Sequence, residues 1–262
     1  MKKSSNPPYN PTLRPQKERV TTHDESYTLY SYEFKEHYHS THDGALSESL
    51  HKHIIPAFAL NAHKKHLRIL DVCFGLGYNT LTTLYYIQKH QLDLSVEIVS
   101  PEFDLELIGS LKDFHYPKEF ENLKEIIITL SKELTYHNPR VDIKILLGDA
   151  RESIPKLTQK FDIVYQDAFS PKTNPLLWTC EYFADIARLL ANDGILTTYS
   201  TAIATRLALF ENGFILYLLQ NDAVRNATIA SLNPLHTIKK IDMRHKIATN
   251  PNAKPLSDKD YL

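Results

Sequence analysis

Short apolar runs alternate with amphipathic segments through the centre of the chain. The apolar runs predict strands at Arg68–Cys73, Leu94–Ser100, Val141–Leu147, Phe161–Asp167 and Ile195–Ser200. The amphipathic segments predict helices at Asn79–His90, Glu102–Leu111, Lys118–Leu134, Arg151–Leu157 and Thr179–Leu190. The last of these carries Phe183, Ile186 and Leu190 on one helix face. Strands covered by helices on both sides read as continuous apolar runs, so the alternation predicts an α/β fold with a doubly wound parallel sheet.

The two ends of the chain follow other patterns. Residues 20–38 alternate in polarity and predict a β-hairpin that turns at Asp24-Glu25, while residues 43–60 predict a helix. The segments Phe214–Leu219 and Ala227–Ser231 lie too close in sequence to be parallel, so they predict an antiparallel hairpin at the sheet edge. The predicted organisation is an N-terminal extension (1–61), a central domain (62–232) and a basic C-terminal tail (233–262).

Composition and charge narrow the function classes. The chain has 262 residues, 42% of them hydrophobic, which is enough for a sizeable core. Its 30 Lys and Arg balance 31 Asp and Glu, so no global positive charge indicates a polyanionic partner. Local excesses remain, because residues 1–19 carry five Lys and Arg against one Glu, and residues 233–262 carry six against three Asp. We predict residues 1–19 to be an extended basic arm.

The cellular compartment and the absence of a metal site are predicted from features that the sequence does not contain. Two cysteines cannot form a disulfide framework, and no stretch reaches the ~20 apolar residues of a membrane span. We therefore expect a cytoplasmic protein without a membrane partner. Several histidines fall close together, but no Cys or carboxylate completes a recognised metal spacing, so we expect no metal site; they are His37, His39, His42, His51 and His53.

A glycine motif joins the first central strand to its helix. The motif reads Ile69-Leu70-Asp71-Val72-Cys73-Phe74-Gly75-Leu76-Gly77-Tyr78-Asn79. Its two glycines would let the backbone approach a ligand closely, beside the free N–H groups of a helix N-terminus. A dinucleotide fingerprint would need glycine at Thr80. The acid four residues before the first glycine fits the first motif of S-adenosylmethionine (SAM) methyltransferases better. An ordinary strand-to-helix turn is the alternative.

Acidic residues follow the ends of three successive strands. Glu102 could accept the two ribose hydroxyls of a nucleoside, and Asp149 could accept the exocyclic amine of adenine while the Ala150 N–H donates to the ring. For each acid alone, a helix-capping role is an equal alternative. Together with Asp71 they would share the sheet edge at which such folds bind ligands, so the set predicts SAM as the cofactor.

The loop after the fourth central strand carries the most specific pattern. It reads Asp167-Ala168-Phe169-Ser170-Pro171-Lys172-Thr173-Asn174-Pro175-Leu176-Leu177-Trp178. This loop resembles the D-x-F-x-P-x-x-N-P-x-x-W signature in the methyltransferase domain of MnmC-type tRNA-modifying enzymes. Residues 74–79 resemble that family's F-G-x-G-x-N, and residues 44–49 and 225–230 resemble its short stand-alone members. The resemblance covers roughly residues 20–232.

The resemblance implies a class I SAM methyltransferase fold and an activity. The family transfers a methyl group from SAM to the amine of 5-aminomethyl-uridine at the tRNA wobble position, so the anticodon arm of tRNA is the implied partner. Two departures are that Cys73 stands where many members carry glycine and Asp71 where some carry glutamate. No flavin-dependent domain is expected in the residues after the final hairpin, because they are too few to fold into one.

The resemblance also assigns the site residues. Cofactor contacts are expected from Asp71, Phe74, Gly75, Gly77, Asn79, Glu102, Asp149 and Ala150. The substrate pocket is expected to be shaped by Phe169, Pro171, Asn174 and Trp178, with an aromatic face for the uracil ring. Asp167 is expected to be catalytic, attracting the ammonium and accepting its proton; the alternative is that it holds only the amino group of the cofactor.

Two other function classes stay open. Aminopropyl transfer is one, because polyamine synthases resemble this fold and also keep an Asp after the fourth strand, although their acidic glycine-rich loop is missing here. A catalytically silent RNA-binding module is the other, although the intact set of acids weighs against it. For RNA contact, the candidates are the two basic ends of the chain, helped by Arg206 and Arg225.

Overall fold

Two β-sheets organise residues 17–262, the part of the chain that the computed structural model describes. The smaller sheet contains β1 (Lys17–Thr21), β2 (Tyr27–Ser31) and β3 (Glu36–His37). The larger contains β4 (His66–Val72), β5 (Ser95–Glu102), β6 (Thr135–His137), β7 (Val141–Leu147), β8 (Phe161–Gln166), β9 (Leu190–Thr198), β10 (Ile215–Leu219) and β11 (Ala227–Ser231). Its strand order is β10-β11-β9-β8-β4-β5-β7-β6.

Helices precede, connect and follow the strands of the larger sheet. They are α1 (Ala45–Glu48), α2 (Ile55–Leu60), α3 (Tyr78–Lys89), α4 (Leu105–Ser110), α5 (Lys124–Glu133), α6 (Ala150–Ser153), α7 (Cys180–Leu189), α8 (Ile203–Glu211) and α9 (Met243–Thr249). A π-helical segment, Ser49–Ile54, joins α1 to α2. Short 3-10 turns occur at Leu111–Asp113, Lys118–Leu123, Ile154–Lys156, Pro175–Leu177 and Asp258–Asp260.

Both faces of the larger sheet are buried, as continuous apolar strands require. In β4, Ile69 packs into the cluster that contains Leu84 of α3, whereas its neighbour Leu70 packs into the cluster that contains Ile186 of α7. The pairs β4–β5, β4–β8, β5–β7 and β8–β9 are parallel. The predicted α/β fold with a central parallel sheet is confirmed.

Three elements in and around the larger sheet differ from the sequence prediction. The helix predicted from Glu102 is wrong at its start, because Glu102 pairs with Leu147 as the last residue of β5, and α4 begins only after Asp104, whose carboxylate accepts from Leu107 N at 2.8 Å. The short edge strand β6 was not predicted. Neither was α8, since it is buried on several sides and shows no clear polar face.

The N-terminal extension is tied to the first helix. Strands β1 and β2 form the predicted antiparallel hairpin, and the turn carries Asp24. Asp24 Oδ2 accepts from Ser47 N at 2.8 Å, and a Cβ on Gly44 would lie 2.1 Å from Asp24 Cγ, so only glycine fits there. Most of the predicted basic arm, residues 1–16, lies outside the described residues, and Lys17 begins β1.

The C-terminal residues pack against the central sheet. Strands β10 and β11 are antiparallel as predicted, and β11 also pairs antiparallel with β9. Beyond them, Ile241 N donates to Leu216 O at 2.8 Å, and Asp258 accepts from Arg151 Nη1 at 3.0 Å. In residues 17–262 no helix is long and apolar enough to cross a bilayer.

Candidate functional site

The carboxyl edge of the parallel strands collects the predicted acids. Asp71 is near the end of β4, Glu102 ends β5, Asp149 follows β7, and Asp167 follows β8. Because parallel strands end at the same edge, these four side chains line one rim of the sheet. The rim has two halves, which we name the cofactor half (the loop of Gly75 and Gly77, with Glu102 and Asp149) and the amine half (Asp167 and the side chains around it).

Asn79 joins a buried and a half-buried carboxylate at the centre of the rim. Its Nδ2 donates to Asp167 Oδ2 at 2.8 Å and lies 3.4 Å from Asp71 Oδ1, while Thr80 Oγ1 donates to Asp71 Oδ2 at 2.8 Å. Asp71 is 1% exposed, and burial raises its pKa to about 7. Asn79 Oδ1 is buried without a hydrogen-bond partner. This acceptor-rich pocket favours a ligand with N–H donors and positive charge.

The loop between β4 and α3 turns in the left-handed region. Gly75 and Gly77 have φ angles of 54° and 72°, and a Cβ on Gly77 would lie 2.8 Å from the ring of Phe74. A Cβ on Gly75 would lie 3.2 Å from Tyr38 Cδ1. Cys73 itself has a φ of 67°, the conformation that favours glycine. Cys73 therefore occupies a backbone position at which glycine would be unstrained.

Glu102 is fixed by backbone N–H groups. Its Oε2 accepts from Gly75 N at 2.8 Å, and its Oε1 accepts from Phe103 N and Asp104 N at 2.9 Å. Burial raises the pKa of Glu102, and the three backbone bonds oppose that shift. An ionised carboxylate has about four acceptor positions, so hydroxyl donors can bind in addition.

Asp149 lies at the outer end of the cofactor half. It caps α6 by accepting from Arg151 N at 2.8 Å, and the side chain is exposed. Ala150 beside it is buried. Two apolar side chains that sequence reasoning did not single out are also exposed at this edge, Phe103 at 37% and Leu147 at 47%. They offer apolar surface for a flat ring between Glu102 and Asp149.

Two buried histidines flank Asp167, and sequence reasoning missed both as site residues. His53 Nε2 lies 3.6 Å from Asp167 Oδ1, and His39 is buried nearby. Burial disfavours the charge on Asp167, but the two histidines and the bond from Asn79 outweigh it and hold the pKa of Asp167 below its usual range. Burial lowers the pKa of His39. Asp167 is therefore ionised at neutral pH.

The loop after Asp167 is held from two sides. Phe169 stacks on Phe34 with ring centroids 4.7 Å apart and meets the ring of Tyr38 at 4.9 Å. Ser170 Oγ donates to Glu36 Oε2 at 2.9 Å. The N-terminal extension thus covers this loop, and the Phe169 ring already has two aromatic neighbours.

The other residues predicted to shape the substrate pocket differ in how deeply they are buried. Trp178 is fully buried and donates Nε1–H to Phe169 O at 2.8 Å, so it can act on a substrate only through the loop that it supports. Pro171 and Asn174 are half-buried in the same loop, where Asn174 N donates to Ser170 O at 2.8 Å.

The two arginines considered for RNA contact are engaged elsewhere. Arg206 is buried, with its Nε donating to Thr228 Oγ1 at 3.1 Å, so its predicted surface role is wrong. Arg225 Nε donates to Asp43 Oδ2 at 3.1 Å. Across residues 17–262, no group of three or more His, Cys, Asp or Glu has the arrangement of a metal site.

Known proteins share sequence and fold with this chain. A family model described as S-adenosyl-L-methionine-dependent methyltransferase matches residues 117–227. An uncharacterized protein of Methanocaldococcus jannaschii is 34% identical over 248 residues, 91% of this chain and 67% of that protein. The tRNA 5-methylaminomethyl-2-thiouridine biosynthesis bifunctional protein MnmC of Burkholderia vietnamiensis is 41% identical over 81 residues, 31% of this chain and 12% of that protein.

A solved structure extends the likeness to almost the whole chain. MnmC2 from Aquifex aeolicus has a TM-score of 0.83 and 34% identity, covering 97% of this chain and 82% of that one. The fold is therefore that of the class I enzymes which use SAM, as the glycine motif and the rim acids predict. The chain belongs to the SAM-dependent methyltransferases of the MnmC type.

Proposed function

We propose that the chain methylates the primary amine of 5-aminomethyl-uridine, including its 2-thio form, at the wobble position of tRNA. The product is 5-methylaminomethyl-uridine. One observation carries the proposal: the buried Asp71 and the partly exposed Asp167 lie side by side, bridged by Asn79, at the rim of a SAM-dependent fold. Two carboxylates in a dehydrated pocket favour cationic ligands, which describes both SAM and an alkylammonium.

The residues of the cofactor half fit SAM. The positive φ angles of Gly75 and Gly77 bring the backbone close to a ligand, and Glu102 has acceptor capacity for ribose hydroxyls. Asp149 and the Ala150 N–H are placed for the adenine edge, with Phe103 and Leu147 as apolar neighbours. When bound, SAM supplies an electrophilic methyl group on a sulfonium.

Asp167 prepares the amine. An alkylamine with a pKa near 10 is mostly protonated at neutral pH, and only its neutral form has the lone pair that takes a methyl group. Ionised Asp167 attracts the ammonium and orients it through charge-assisted hydrogen bonds. As the closed pocket excludes water, the carboxylate accepts the proton directly or through one water molecule. Because the pKa of Asp167 is low, we assign it orientation first and proton acceptance second.

The tRNA partner is proposed from the relatives and from the charge of the tail. The MnmC relatives are named for tRNA thiouridine biosynthesis. Six basic side chains of the tail are exposed and so available to phosphates: Lys239, Lys240, Arg244, Lys246, Lys254 and Lys259. A near-neutral protein that binds a polyanion needs such a local patch.

The test is methyl transfer to defined tRNA. Purified protein is incubated with SAM and either tRNA carrying 5-aminomethyl-2-thiouridine or the same tRNA with unmodified uridine, and the nucleosides are analysed by mass spectrometry. We expect one added methyl on the modified nucleoside alone. An added aminopropyl group would establish the polyamine-synthase alternative, and tRNA binding without any transfer would establish the silent module.

A further inference from the structure

His53 lies beside Asp167 in the amine half of the rim. Its ring is fully buried, Nδ1 lies 2.8 Å from Thr197 Oγ1 on β9, and Nε2 points at Asp167 Oδ1 from 3.6 Å. Nε2 has no hydrogen-bond partner. A buried polar atom without a partner is costly, and an approach of about 0.5 Å would bring this pair to hydrogen-bond distance.

The surroundings of His53 limit what it can do. Titratable side chains from three other elements interact with it besides Asp167: Asp71 from β4, Tyr165 from β8 and His39 from the N-terminal extension. Tyr165 meets the imidazole edge-on at 5.6 Å, which fixes the ring plane. Since the ring has no exposed surface, His53 has no direct path for a proton to bulk solvent.

We propose that His53 is a positioning residue for the methyl acceptor. Its Nε2–H donates to Asp167 Oδ1 when the site fills, which fixes the carboxylate plane between this donor and Asn79. In this proposal the Thr197 hydroxyl, 2.8 Å from Nδ1, donates to that nitrogen and so keeps the proton on Nε2. This role rests on the proposed function, because it concerns the carboxylate that receives the amine.

The arrangement explains how one carboxylate can be held on both oxygens. Asn79 donates to Oδ2 and His53 faces Oδ1, so neither oxygen can rotate away while the amine binds. Misplacing a reacting group by about 1 Å costs roughly a hundredfold in rate. The cofactor contacts expected of Gly75, Gly77 and Glu102 lie on the other half of the rim, so the loss of His53 should lower turnover and leave cofactor affinity unchanged.

The test compares four single variants. His53→Ala should lose about tenfold to a hundredfold in single-turnover rate at saturating SAM. His53→Gln should recover most of it, because the Gln amide carries an N–H where His carries Nε2. Thr197→Val should lose less than His53→Ala. His51→Gln is the control, since His51 precedes His53 by two positions, is half-buried and makes no side-chain contact with Asp167; it should behave as wild type.

A pH profile separates positioning from a structural role. Without His53, burial dominates at Asp167 and raises its pKa, so the acidic limb of the His53→Ala rate profile should move to higher pH. Melting temperature and calorimetric SAM affinity verify that each variant is folded. Normal turnover in folded His53→Ala, or equal loss in His53→Gln and His53→Ala, would overturn the inference.

An activity-free measurement separates this inference from the proposed function. In protein with ¹⁵N-labelled histidine, Asp167→Asn should shift the Nε2 resonance of His53 and leave that of His51 unchanged. If the wild type fails to methylate the amine while this shift occurs, the proposed substrate is wrong and the His53–Asp167 contact stands. An unchanged His53 resonance removes the contact.

Discussion

The two halves of the rim hold their acids by different means. In the cofactor half, Glu102 is bound by backbone N–H groups, two of them from its own loop. In the amine half, Asp167 accepts a hydrogen bond from Asn79 and lies 3.6 Å from His53, two side chains from elsewhere in the chain. Backbone donors keep their position whatever the side chains are, whereas a side-chain cluster depends on every member. We infer that binding of the cofactor and handling of the amine can be separated by mutation.

The largest expected effect is on the amine half. Asp167→Ala should retain folding, tRNA binding and cofactor affinity but lose about 10²–10⁴ in single-turnover rate, because the amine is neither oriented nor relieved of its proton. Asp222→Ala, in an exposed turn, is the control. Equal losses of rate and cofactor affinity in Asp167→Ala would mean that the two halves act as one.

The next largest effect is expected in the cofactor half, on the affinity for SAM. Glu102→Ala should weaken SAM binding by about tenfold to a hundredfold, since a hydrogen bond to a charged group contributes about 1.5–3 kcal/mol. At saturating SAM its single-turnover rate should approach that of wild type. Calorimetry measures the affinity, with Glu125→Ala on the exposed face of α5 as the control. An unchanged affinity would remove Glu102 from the site.

A smaller effect concerns pH and stability. Burial raises the pKa of Asp71 to about 7 from 3.8, so between these values the folded chain keeps a proton that the unfolded chain releases. The folded state therefore loses stability from this group as pH rises from about 4 to about 7. Asp71→Asn should melt above wild type at pH 7 by roughly 4 °C or more, and the difference should shrink toward pH 4.

Asp167 should show the opposite sign. Its pKa is lowered, so its stabilising contribution is present above the ordinary Asp pKa and is lost as pH falls through the lowered value. Asp167→Asn should thus melt below wild type at neutral pH and converge with it in acid. Parallel melting curves for the two variants across pH would contradict the electrostatic contrast between the two carboxylates.

The smallest effect lies outside both halves. Lys239→Ala with Lys240→Ala should lower the salt slope of tRNA binding by about 0.7–0.9 for each phosphate contact that is lost. Lys124→Ala with Lys132→Ala, on α5 beside the opposite edge of the sheet, is the matched control. An equal change in the control would place the RNA contact away from the tail.

The two halves also differ in how far the sequence predicts them. Asp71 and Glu102 lie near the ends of recognisable strands and Asp149 follows one, so their common edge follows from the topology alone. The contacts of the amine half join residues far apart in the chain, by 88 positions for Asn79 and Asp167 and 144 for His53 and Thr197. No local pattern marks such pairs, which is why His53 reads as an unexplained histidine until the fold is known.

The sequence also does not predict which individual side chains are buried. Trp178 belongs to a loop signature, yet it lies inside the core, where its fully buried indole packs against Phe183 of α7 and donates to Phe169 O. Helix α8 was missed for the reverse reason, since its apolar residues continue around the helix and no polar face marks it. In both cases tertiary packing, rather than local periodicity, decides the outcome.

The most direct test is the position of the amine in a ternary complex. A crystal structure with S-adenosylhomocysteine and an anticodon stem-loop carrying 5-aminomethyl-uridine would measure the distance from the amine nitrogen to Asp167. We predict about 2.7–2.9 Å to an Asp167 oxygen, with the ribose of the cofactor on Glu102 across the rim. An amine bound away from Asp167, or a ribose bound away from Glu102, would contradict the division of the rim.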